Sequence, residues 1–246
     1  MPPIRKGDGT PVTPKGISQV RTGDGRILFD GVAIPDEGLL HEHDAREISV
    51  VDTWPDIAGN NDLSVELGSP SVVSDAINGQ QAVEYDGGSH SGDGFVGGNN
   101  DEYTIAFVVK PLSTSGNQRV IDNDLSPRAA VELSDDAVWG AVHPGVDKNT
   151  GGSYQVDEVY AGVQTYDGST VILQVGNDVI INESVGTDSD SDNYGFGAGN
   201  GGTSGNEANM QLGHGLSYDQ FYDGSQRDDI ITALESSWGF TTPDVE

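Results

Sequence analysis

The acidic segment 188–192 is the first place in this sequence where residue types and spacing could do chemistry. It carries carboxylates at alternate positions, at Asp188, Asp190 and Asp192, with a serine between each pair. A loop with this spacing can wrap several oxygen ligands around Ca²⁺ or Mg²⁺. The segment lacks the glutamate that closes an EF-hand loop. We therefore expect either a Ca²⁺ or Mg²⁺ site or a solvated acidic loop.

A second cluster is the run His41, Glu42, His43 and Asp44. Side chains at positions i and i+2 face together only on a strand, and no second histidine pair follows. The run is interpreted as an exposed connector in preference to a metal site. His90, His143 and His214 are isolated in the sequence, and each is interpreted as structural or incidental.

Sugar binding calls for an aromatic platform beside polar side chains. Tyr194 and Phe196 lie at a glycine-rich stretch, and Trp139 lies near His143. These three aromatic residues are the candidate glycan-binding residues, with packing in the core or in a loop as the alternative for each. The glycine-rich stretch is not followed by Gly-Lys-Ser/Thr, so a phosphate loop is not indicated.

The composition excludes several classes of partner and site. Among 246 residues, 40 acidic and 11 basic side chains give a formal net charge of −29, which opposes nucleic acid and anionic membranes. Cysteine is absent, which rules out disulfides and thiolate sites. The sequence contains no run of 18 apolar residues, so no membrane-spanning helix is predicted. It also lacks an apolar stretch near its start, so no secretory signal is predicted.

The acidic excess also indicates the environment. The chain has 28 Asp and 12 Glu but only four Lys, and the acids are spread along strand-like runs. At 1 M salt the Debye length is about 3 Å, so such charges stop repelling one another. We expect a protein from a high-salt environment; the alternatives are an acidic protein from ordinary salt or a disordered acidic tail.

The first thirty residues differ from the rest. They hold five basic and three acidic side chains, a net of +2, and the remainder has a net charge of −31. The run at 5–12 recurs at 21–28, and its Asp-Gly pairs predict tight turns, the second within a small hairpin. We interpret this segment as a docking arm, with a flexible tail as the alternative. The arm's basic residues are Arg5, Lys6, Arg21 and Arg26.

Most of the remaining chain reads as short strands between Gly, Asn and Asp turns, the pattern of a sandwich or jelly roll. One helix is indicated near the end, with Ser225 as its N-cap and Gly239 as its stop. Its apolar stripe is Ile230, Ile231, Leu234 and Trp238. The predicted organisation is an arm over 1–35, a connector over 36–45, a sandwich over 46–240 and a tail over 241–246.

Three segments carry a family resemblance. Residues 52–63 (DTWPDIAGNNDL), 77–87 (INGQQAVEYDG) and 165–175 (TYDGSTVILQV) resemble the opening and a central hairpin of concanavalin A-like, laminin-G-like jelly rolls. The end, with Ser237 to Phe240, is similar to versions carried by tailed viruses of bacteria and archaea. The arm resembles short β-repeats at the attachment ends of tail fibres and spikes. The resemblance implies an all-β concanavalin A-like sandwich with a short C-terminal helix and an N-terminal β-repeat arm.

The same family includes glycoside hydrolases that carry Glu-x-Asp-x-x-Glu on one strand, and this sequence has no such segment. No enzyme activity is therefore expected. The resemblance implies a structural protein of a tailed haloarchaeal virus, as a tail fibre, spike or capsid turret. Such a protein would dock on other virion proteins through residues 1–35, form a homo-oligomer, and attach to a host-surface glycan or glycoprotein. The alternatives are a purely structural decoration protein and a glycoside hydrolase.

Overall fold

The computed structural model describes residues 19–21, 27–30, 34–59, 61–93, 102–123, 130–143, 146–148, 151–185, 193–199 and 206–245. These ranges hold eighteen strands and one α-helix, and every strand pairing is antiparallel. Two large sheets stack face to face. The prediction of an all-β sandwich with a short C-terminal helix is confirmed.

The first large sheet, which we call the front sheet, has eight strands in the spatial order β13-β12-β11-β10-β17-β8-β5-β4. Its strands are β4 Thr53–Trp54, β5 Leu63–Leu67, β8 Ser89–Asp93, β10 Gln118–Asn123, β11 Ala130–Leu133, β12 Trp139–His143, β13 Val146–Lys148 and β17 Asn193–Phe196.

The second, which we call the back sheet, has the order β16-β15-β14-β9-β18-β7-β6, and β3 also pairs with β18. Its strands are β3 Leu39–Asp44, β6 Ser71–Ile77, β7 Gln80–Asp86, β9 Tyr103–Pro111, β14 Tyr160–Tyr166, β15 Thr170–Val175, β16 Asp178–Ser184 and β18 Asn209–Tyr218. The long β18 pairs with β7 through its first half and with β3 through its second.

The core lies between the two sheets and is built from alternate residues of their strands. Large aromatic side chains fill it, and glycines on the facing strands make room for them. A Cβ at Gly215 would lie 2.3 Å from the Phe196 ring, and one at Gly162 would lie 2.4 Å from the Phe107 ring. Gly215 therefore sets how closely the Phe196 ring of the front sheet approaches the back sheet, and Gly162 makes room for the ring of its cross-strand partner within the back sheet.

The segment predicted as a connector is part of the sandwich. Leu39–Asp44 forms β3 and pairs with β18, and its last three residues are buried. The sandwich therefore begins by Leu39 and not at residue 46. A short 3₁₀ turn, Ala45–Glu47, follows directly, with the Asp44 carboxylate accepting a hydrogen bond from the Arg46 backbone N–H.

Helix α1, Gly224–Trp238, contacts β9 and β14 of the back sheet. Its predicted apolar stripe is buried, and Gly239 ends it in the left-handed conformation at φ 71°. The predicted N-cap was wrong. Asp223 is the N-cap, because its carboxylate accepts from the backbone N–H of Gln226 while the Gln226 side chain accepts from that of Asp223. Ser225 lies inside the first turn and donates to Asp223.

Near the start of the chain, β1 Gln19–Arg21 pairs with β2 Ile27–Asp30 as a separate two-stranded sheet. The hairpin expected around the second Asp-Gly pair is thus confirmed, whereas the first copy of the repeat lies outside the described residues. Among the described residues, no helix is both long enough and apolar enough to span a membrane.

Candidate functional site

A row of small side chains crosses five strands of the front sheet. Thr53 pairs with Ser64, and Ser64 pairs with Ser91. Ser91 pairs in turn with Gly195, and Gly195 pairs with Asp122. Directly opposed residues of antiparallel strands project from the same face of the sheet, so these five share one face. We call them the polar row.

The polar row lies on the face of the front sheet that points away from the core. Strand alternation requires this, because Tyr194 and Phe196 flank Gly195 in β17 and both belong to the core. Exposure falls along the row: Thr53 and Ser64 are exposed, whereas Gly195 and Asp122 are buried. The part of the row that a ligand can reach is therefore its hydroxyl-bearing end near β4.

Two further charged side chains lie beside Asp122. Arg119 and Glu132 are cross-strand partners on β10 and β11, and the Arg119 guanidinium forms an ion pair with the Glu132 carboxylate. Arg119 Nε also lies 3.3 Å from Asp122 Oδ2. We call Arg119, Asp122 and Glu132 the charged triad. Its members are at most 4% exposed, and one guanidinium with two carboxylates leaves a formal charge of −1.

One acceptor of the charged triad is unused. Glu132 binds Arg119 through Oε2, and its other oxygen, Oε1, is buried with no hydrogen-bond donor among the described residues. Leaving a buried polar atom unpaired costs about 1–3 kcal/mol, and more for a charged group. This oxygen is therefore an uncompensated acceptor buried beneath the outer face of the front sheet.

The three aromatic residues predicted to bind glycans lie in the core. Trp139 is fully buried, and Tyr194 and Phe196 are each 1% exposed. Phe196 packs against Trp54, with ring centroids 5.3 Å apart, and Trp139 against Tyr160 at 5.4 Å. A stacking platform needs an exposed ring face, and none of the three offers one. The sequence placed Tyr194 and Phe196 at a glycine-rich stretch, whereas they lie on strand β17, and the alternative of packing in the core is the one observed.

Tyr194 instead joins a network of histidines between the sheets. His41 Nδ1 donates to Asp56 Oδ2 at 2.8 Å, because a carboxylate only accepts. Asp56 also accepts from the backbone N–H groups of Glu42, Ala58 and Gly59. Burial alone would raise the pKa of Asp56, but these hydrogen bonds outweigh it and hold that pKa well below its usual value.

His43 continues the network. Its Nδ1 lies 3.2 Å from the Pro55 carbonyl oxygen and must donate to it, so Nε2 accepts from the Tyr194 hydroxyl. Burial lowers the pKa of His43 to about 4, with Asp56 opposing the shift. Burial likewise raises the pKa of Tyr194 well above its usual value. His43 is therefore neutral near pH 7, and the network is a buried structural element of the sandwich.

His90 repeats this arrangement. Its Nε2 donates to the Val51 carbonyl oxygen at 2.7 Å, and its Nδ1 accepts from the Tyr85 hydroxyl at 3.0 Å. Burial lowers the pKa of His90, and the hydrogen bond to Val51 opposes the shift. The interpretation of His90 as structural agrees with these contacts.

The run from His41 to Asp44 divides between the two faces of β3. His41 and His43 point into the core, while Glu42 and Asp44 face His214 on the side of the sheet that carries α1. The run is a buried strand, so its interpretation as an exposed connector was wrong. Among the described residues, no group of three or more His, Asp or Glu side chains is arranged to hold a metal ion.

Seven further residues were predicted as site residues, and six of them lie outside the described residues. The candidate cation ligands Asp188, Asp190 and Asp192 lie outside the described residues. The same is true of Arg5, Lys6 and Arg26 of the proposed arm. Arg21 is the last residue of β1.

The charged triad was missed at the sequence level. Its members lie on two strands, thirteen residues apart at their extremes, and the register shift between Arg119 and Ile121 hides their pairing. One signal was present: Arg119 is one of only 11 basic residues, and it stands inside a strand-like run. A lone arginine in such a run indicates a nearby carboxylate.

Comparison with known proteins supports the fold. No protein-family model matches the chain, and no curated protein matches it significantly. Among solved structures, Trypanosoma rangeli sialidase superposes with a TM-score of 0.63 at 13% identity. That match covers 90% of this chain but 36% of the sialidase, so the chain spans about a third of that protein.

Two further structures are similar. Domain 4 of AbnA, a GH43 extracellular arabinanase from Geobacillus stearothermophilus in complex with arabinotriose, superposes with a TM-score of 0.63 at 14% identity. The match covers 78% of this chain and 98% of that domain. A structure of botulinum neurotoxin type C, described as dependent on two ganglioside molecules for cell entry, gives 0.57 at 13% identity, covering 81% and 52%. At these identities the likeness establishes a β-sandwich fold.

Proposed function

We propose that this chain is a glycan-binding β-sandwich whose binding surface is the polar row of the front sheet. The observation that carries the proposal is the row itself, with hydroxyl groups at its exposed end and a buried carboxylate at its inner end. Small side chains leave room for a sugar ring against the sheet. Hydroxyls, carboxylates and a guanidinium are the groups that hydrogen-bond sugar hydroxyls.

The chemistry of the similar structures supports this choice. One is a domain bound to arabinotriose, and another belongs to a toxin whose cell entry depends on gangliosides. These ligands belong to those proteins. For this chain, glycans are the class of ligand to test, because its fold is the same β-sandwich. The residues proposed to bind them here are those of its own polar row.

Binding without turnover fits the charged triad better than hydrolysis. A glycosidase needs one carboxyl group protonated as the general acid and a second one ionised. Asp122 and Glu132 instead both lie against one guanidinium, each as an ion-pair partner of Arg119. Release of reducing sugar by the purified chain would contradict this part of the proposal.

The wider setting is proposed from the sequence. We place the sandwich on the surface of a virion of a tailed haloarchaeal virus, in high salt, assembled as a homo-oligomer. Residues 1–35, with Arg5, Lys6, Arg21 and Arg26, would dock on other virion proteins. The target would be a host-surface glycan or glycoprotein, and Asp188, Asp190 and Asp192 would bind Ca²⁺ or Mg²⁺. Purely structural decoration is the alternative.

The proposal is tested with a pair of identical substitutions on the two sheets. Ser64→Ile fills the exposed end of the polar row, whereas Ser184→Ile makes the same change at an exposed position of β16 in the back sheet. On an array of oligosaccharides, we expect Ser64→Ile to lose at least about tenfold in affinity, or about 1.4 kcal/mol. Ser184→Ile should bind like the unmodified chain. Equal binding by both variants would place the site elsewhere.

Attachment and decoration are separated on whole cells and particles. Binding of the purified chain to host cells, lost in Ser64→Ile, supports attachment. Absence of cell binding together with high occupancy on assembled particles supports decoration. Deletion of residues 1–35 should prevent incorporation into particles, and normal incorporation of the shortened chain would contradict the docking role.

A further inference from the structure

We propose that Asn78 is a site of spontaneous deamidation, and that its modification releases the C-terminal turn of helix α1, residues 235–238, from the back sheet. This inference goes beyond glycan binding and does not depend on it. It is carried by one juxtaposition: the side-chain amide of an exposed Asn-Gly turn is hydrogen-bonded to carbonyl groups at the end of the helix.

The turn in question joins β6 to β7. Asn78 and Gly79 are its two residues, because Ile77 and Gln80 on either side are cross-strand partners. Both turn residues are exposed, and both have a positive φ, 48° for Asn78 and 75° for Gly79. Asn-Gly is the pair preferred in such hairpin turns. The sequence holds one other Asn-Gly pair, at 200–201, which lies outside the described residues.

An Asn-Gly pair contains both reactants of deamidation. The glycine backbone nitrogen attacks the asparagine side-chain carbonyl carbon, so a new N–Cγ bond forms. The Cγ–Nδ2 bond breaks, and the amide nitrogen leaves as ammonia with the proton of the attacking nitrogen. Water then opens the succinimide ring to aspartate or isoaspartate. Gly79 has no side chain to obstruct the approach, and a Cβ there would meet only Asp75 Oδ1, at 4.0 Å.

In the folded chain the same amide holds the end of α1. Asn78 Nδ2 donates to the carbonyl oxygens of Trp238 at 3.2 Å and of Gly239 at 2.9 Å. The last carbonyl groups of a helix have no partner inside the helix, so this amide satisfies groups that need an outside donor. Turning the Asn78 side chain toward the Gly79 nitrogen breaks both hydrogen bonds. The reaction therefore proceeds when the turn and the helix end separate locally.

The product cannot restore these contacts. An ionised aspartate at this position only accepts hydrogen bonds, so it would face two carbonyl oxygens without a donor. It also brings negative charge to the negative end of the helix dipole. The segment that loses its anchor carries Trp238, which is fully buried against Gly213 and His214. Deamidation thus makes a reversible opening of the helix end irreversible.

The test incubates the purified chain in high salt at pH 7.5 and 37 °C and follows the mass of its peptides. We expect Asn78 to be modified, more slowly than in the same chain unfolded in urea. Asn177 is the matched control, since it is exposed in the two-residue turn between β15 and β16 but precedes Asp178. It should stay intact. An intact Asn78 after the urea-unfolded chain is fully modified overturns the proposal, as does equal modification of Asn177.

A variant tests whether docking of the helix end controls the reaction. Gln80 Nε2 donates to the Ser237 carbonyl oxygen at 3.3 Å, so Gln80→Ala weakens the docking and leaves the Asn-Gly pair unchanged. Deamidation of the folded variant should be at least about threefold faster. Thr232→Ala, at an exposed position of α1, should keep the rate of the unmodified chain. An unchanged rate in Gln80→Ala overturns the coupling to the helix.

The consequence of the modification is measured on Asn78→Asp, which reproduces one product. Aspartate tolerates a positive φ, so the turn still forms. Hydrogen–deuterium exchange of the amides at 237–240 should be at least about tenfold faster than in the unmodified chain, because two hydrogen bonds are lost. Exchange in β16 should not change. Equal exchange at 237–240 in the two proteins overturns the proposed release of the helix end.

Discussion

Gly195 and Asp122 are cross-strand partners on the outward face of the front sheet. The pair places a fully buried carboxylate next to a position without a side chain, at the inner end of the polar row. The neighbours of Gly195 in β17, Tyr194 and Phe196, fill the core on the other face. One strand of four residues therefore supplies both the floor of the proposed binding surface and part of the aromatic core.

The charged triad should show the energetics of a buried ion pair. Replacing Glu132 by Leu removes a partner of the buried Arg119 guanidinium, and we expect a loss of about 3 kcal/mol of unfolding free energy. The triple variant Glu132→Leu, Arg119→Met and Asp122→Asn removes all three charges of the triad, and it should recover most of this loss. Urea unfolding at fixed salt measures both variants. A triple variant less stable than Glu132→Leu would show that the triad contributes net stability.

The stability of the sandwich should depend on pH through His43. Its pKa is about 4 in the folded chain against 6.5 for an ordinary histidine. Between these values the unfolded chain binds a proton that the folded chain does not, so stability falls as pH falls through this window. The loss should reach about 3 kcal/mol at pH 4.

Urea unfolding at pH 7.5, 5.5 and 4.5 tests this pH dependence. His43→Gln removes the titrating group and should flatten the curve, with His90 leaving a smaller slope of the same sign because its pKa is also lowered. Asp56 acts in a separate window, since its lowered pKa removes stability only below about pH 3.8. Equal stability of the unmodified chain at pH 7.5 and 4.5 would contradict the assignment.

The contact between Gly215 and Phe196 should make the core intolerant of a single methyl group. Gly215→Ala would place its Cβ 2.3 Å from the Phe196 ring, and we expect a loss of about 1–3 kcal/mol. Adding Phe196→Leu should restore part of the lost stability, because the smaller leucine side chain leaves room for the new Cβ. Gly224→Ala is the matched control, since a Cβ there meets only the Arg227 side chain at 3.7 Å. Thermal unfolding of the unmodified chain and of these three variants measures the losses.

The N-cap of helix α1 is Asp223 in the structure, whereas the sequence predicted Ser225, and two alanine substitutions distinguish them. Asp223→Ala should cost about 1 kcal/mol, because it removes the acceptor for the Gln226 backbone N–H. Ser225→Ala should change stability by less than about 0.5 kcal/mol. A larger effect at Ser225 than at Asp223 would restore the original prediction.

Salt should stabilise the fold. The formal net charge is −29, and the Debye length rises above about 3 Å as salt falls below 1 M, so repulsion among the carboxylates returns. We expect the circular dichroism of the strands to be lost progressively on dialysis to low salt. An unchanged spectrum would show that the acidic composition is not an adaptation to high salt.

The sequence was sufficient for the fold class because strand alternation and turn residues are local signals. The buried stripe and the C-terminal stop of α1 were predicted for the same reason. The face to which a side chain points and the register between two strands are not determined by neighbouring residues in the sequence. Tyr194 and Phe196 were singled out at a glycine-rich stretch with no predicted strand, and only the stacking of the two sheets decides that they point inward. The charged triad depends on a shifted register between β10 and β11, which no run of residues displays.

The connector shows the same limit. The polar run from His41 to Asp44 has the composition of an exposed segment, yet it pairs with β18 and is largely buried. His41, His43 and Glu42 contact partners that lie far away in the sequence, namely Asp56, Tyr194 and His214. Burial of such a strand is therefore decided by tertiary contacts and not by its own hydrophobicity.

Hydrogen–deuterium exchange of the chain, with and without the tightest glycan found on the array, tests the proposed binding surface most directly. Binding along the polar row predicts slower exchange in β5, β8 and β17 of the front sheet, with α1 and β16 unchanged. Protection confined to α1, β16 or other parts of the back sheet, with the front sheet unaffected, would contradict it.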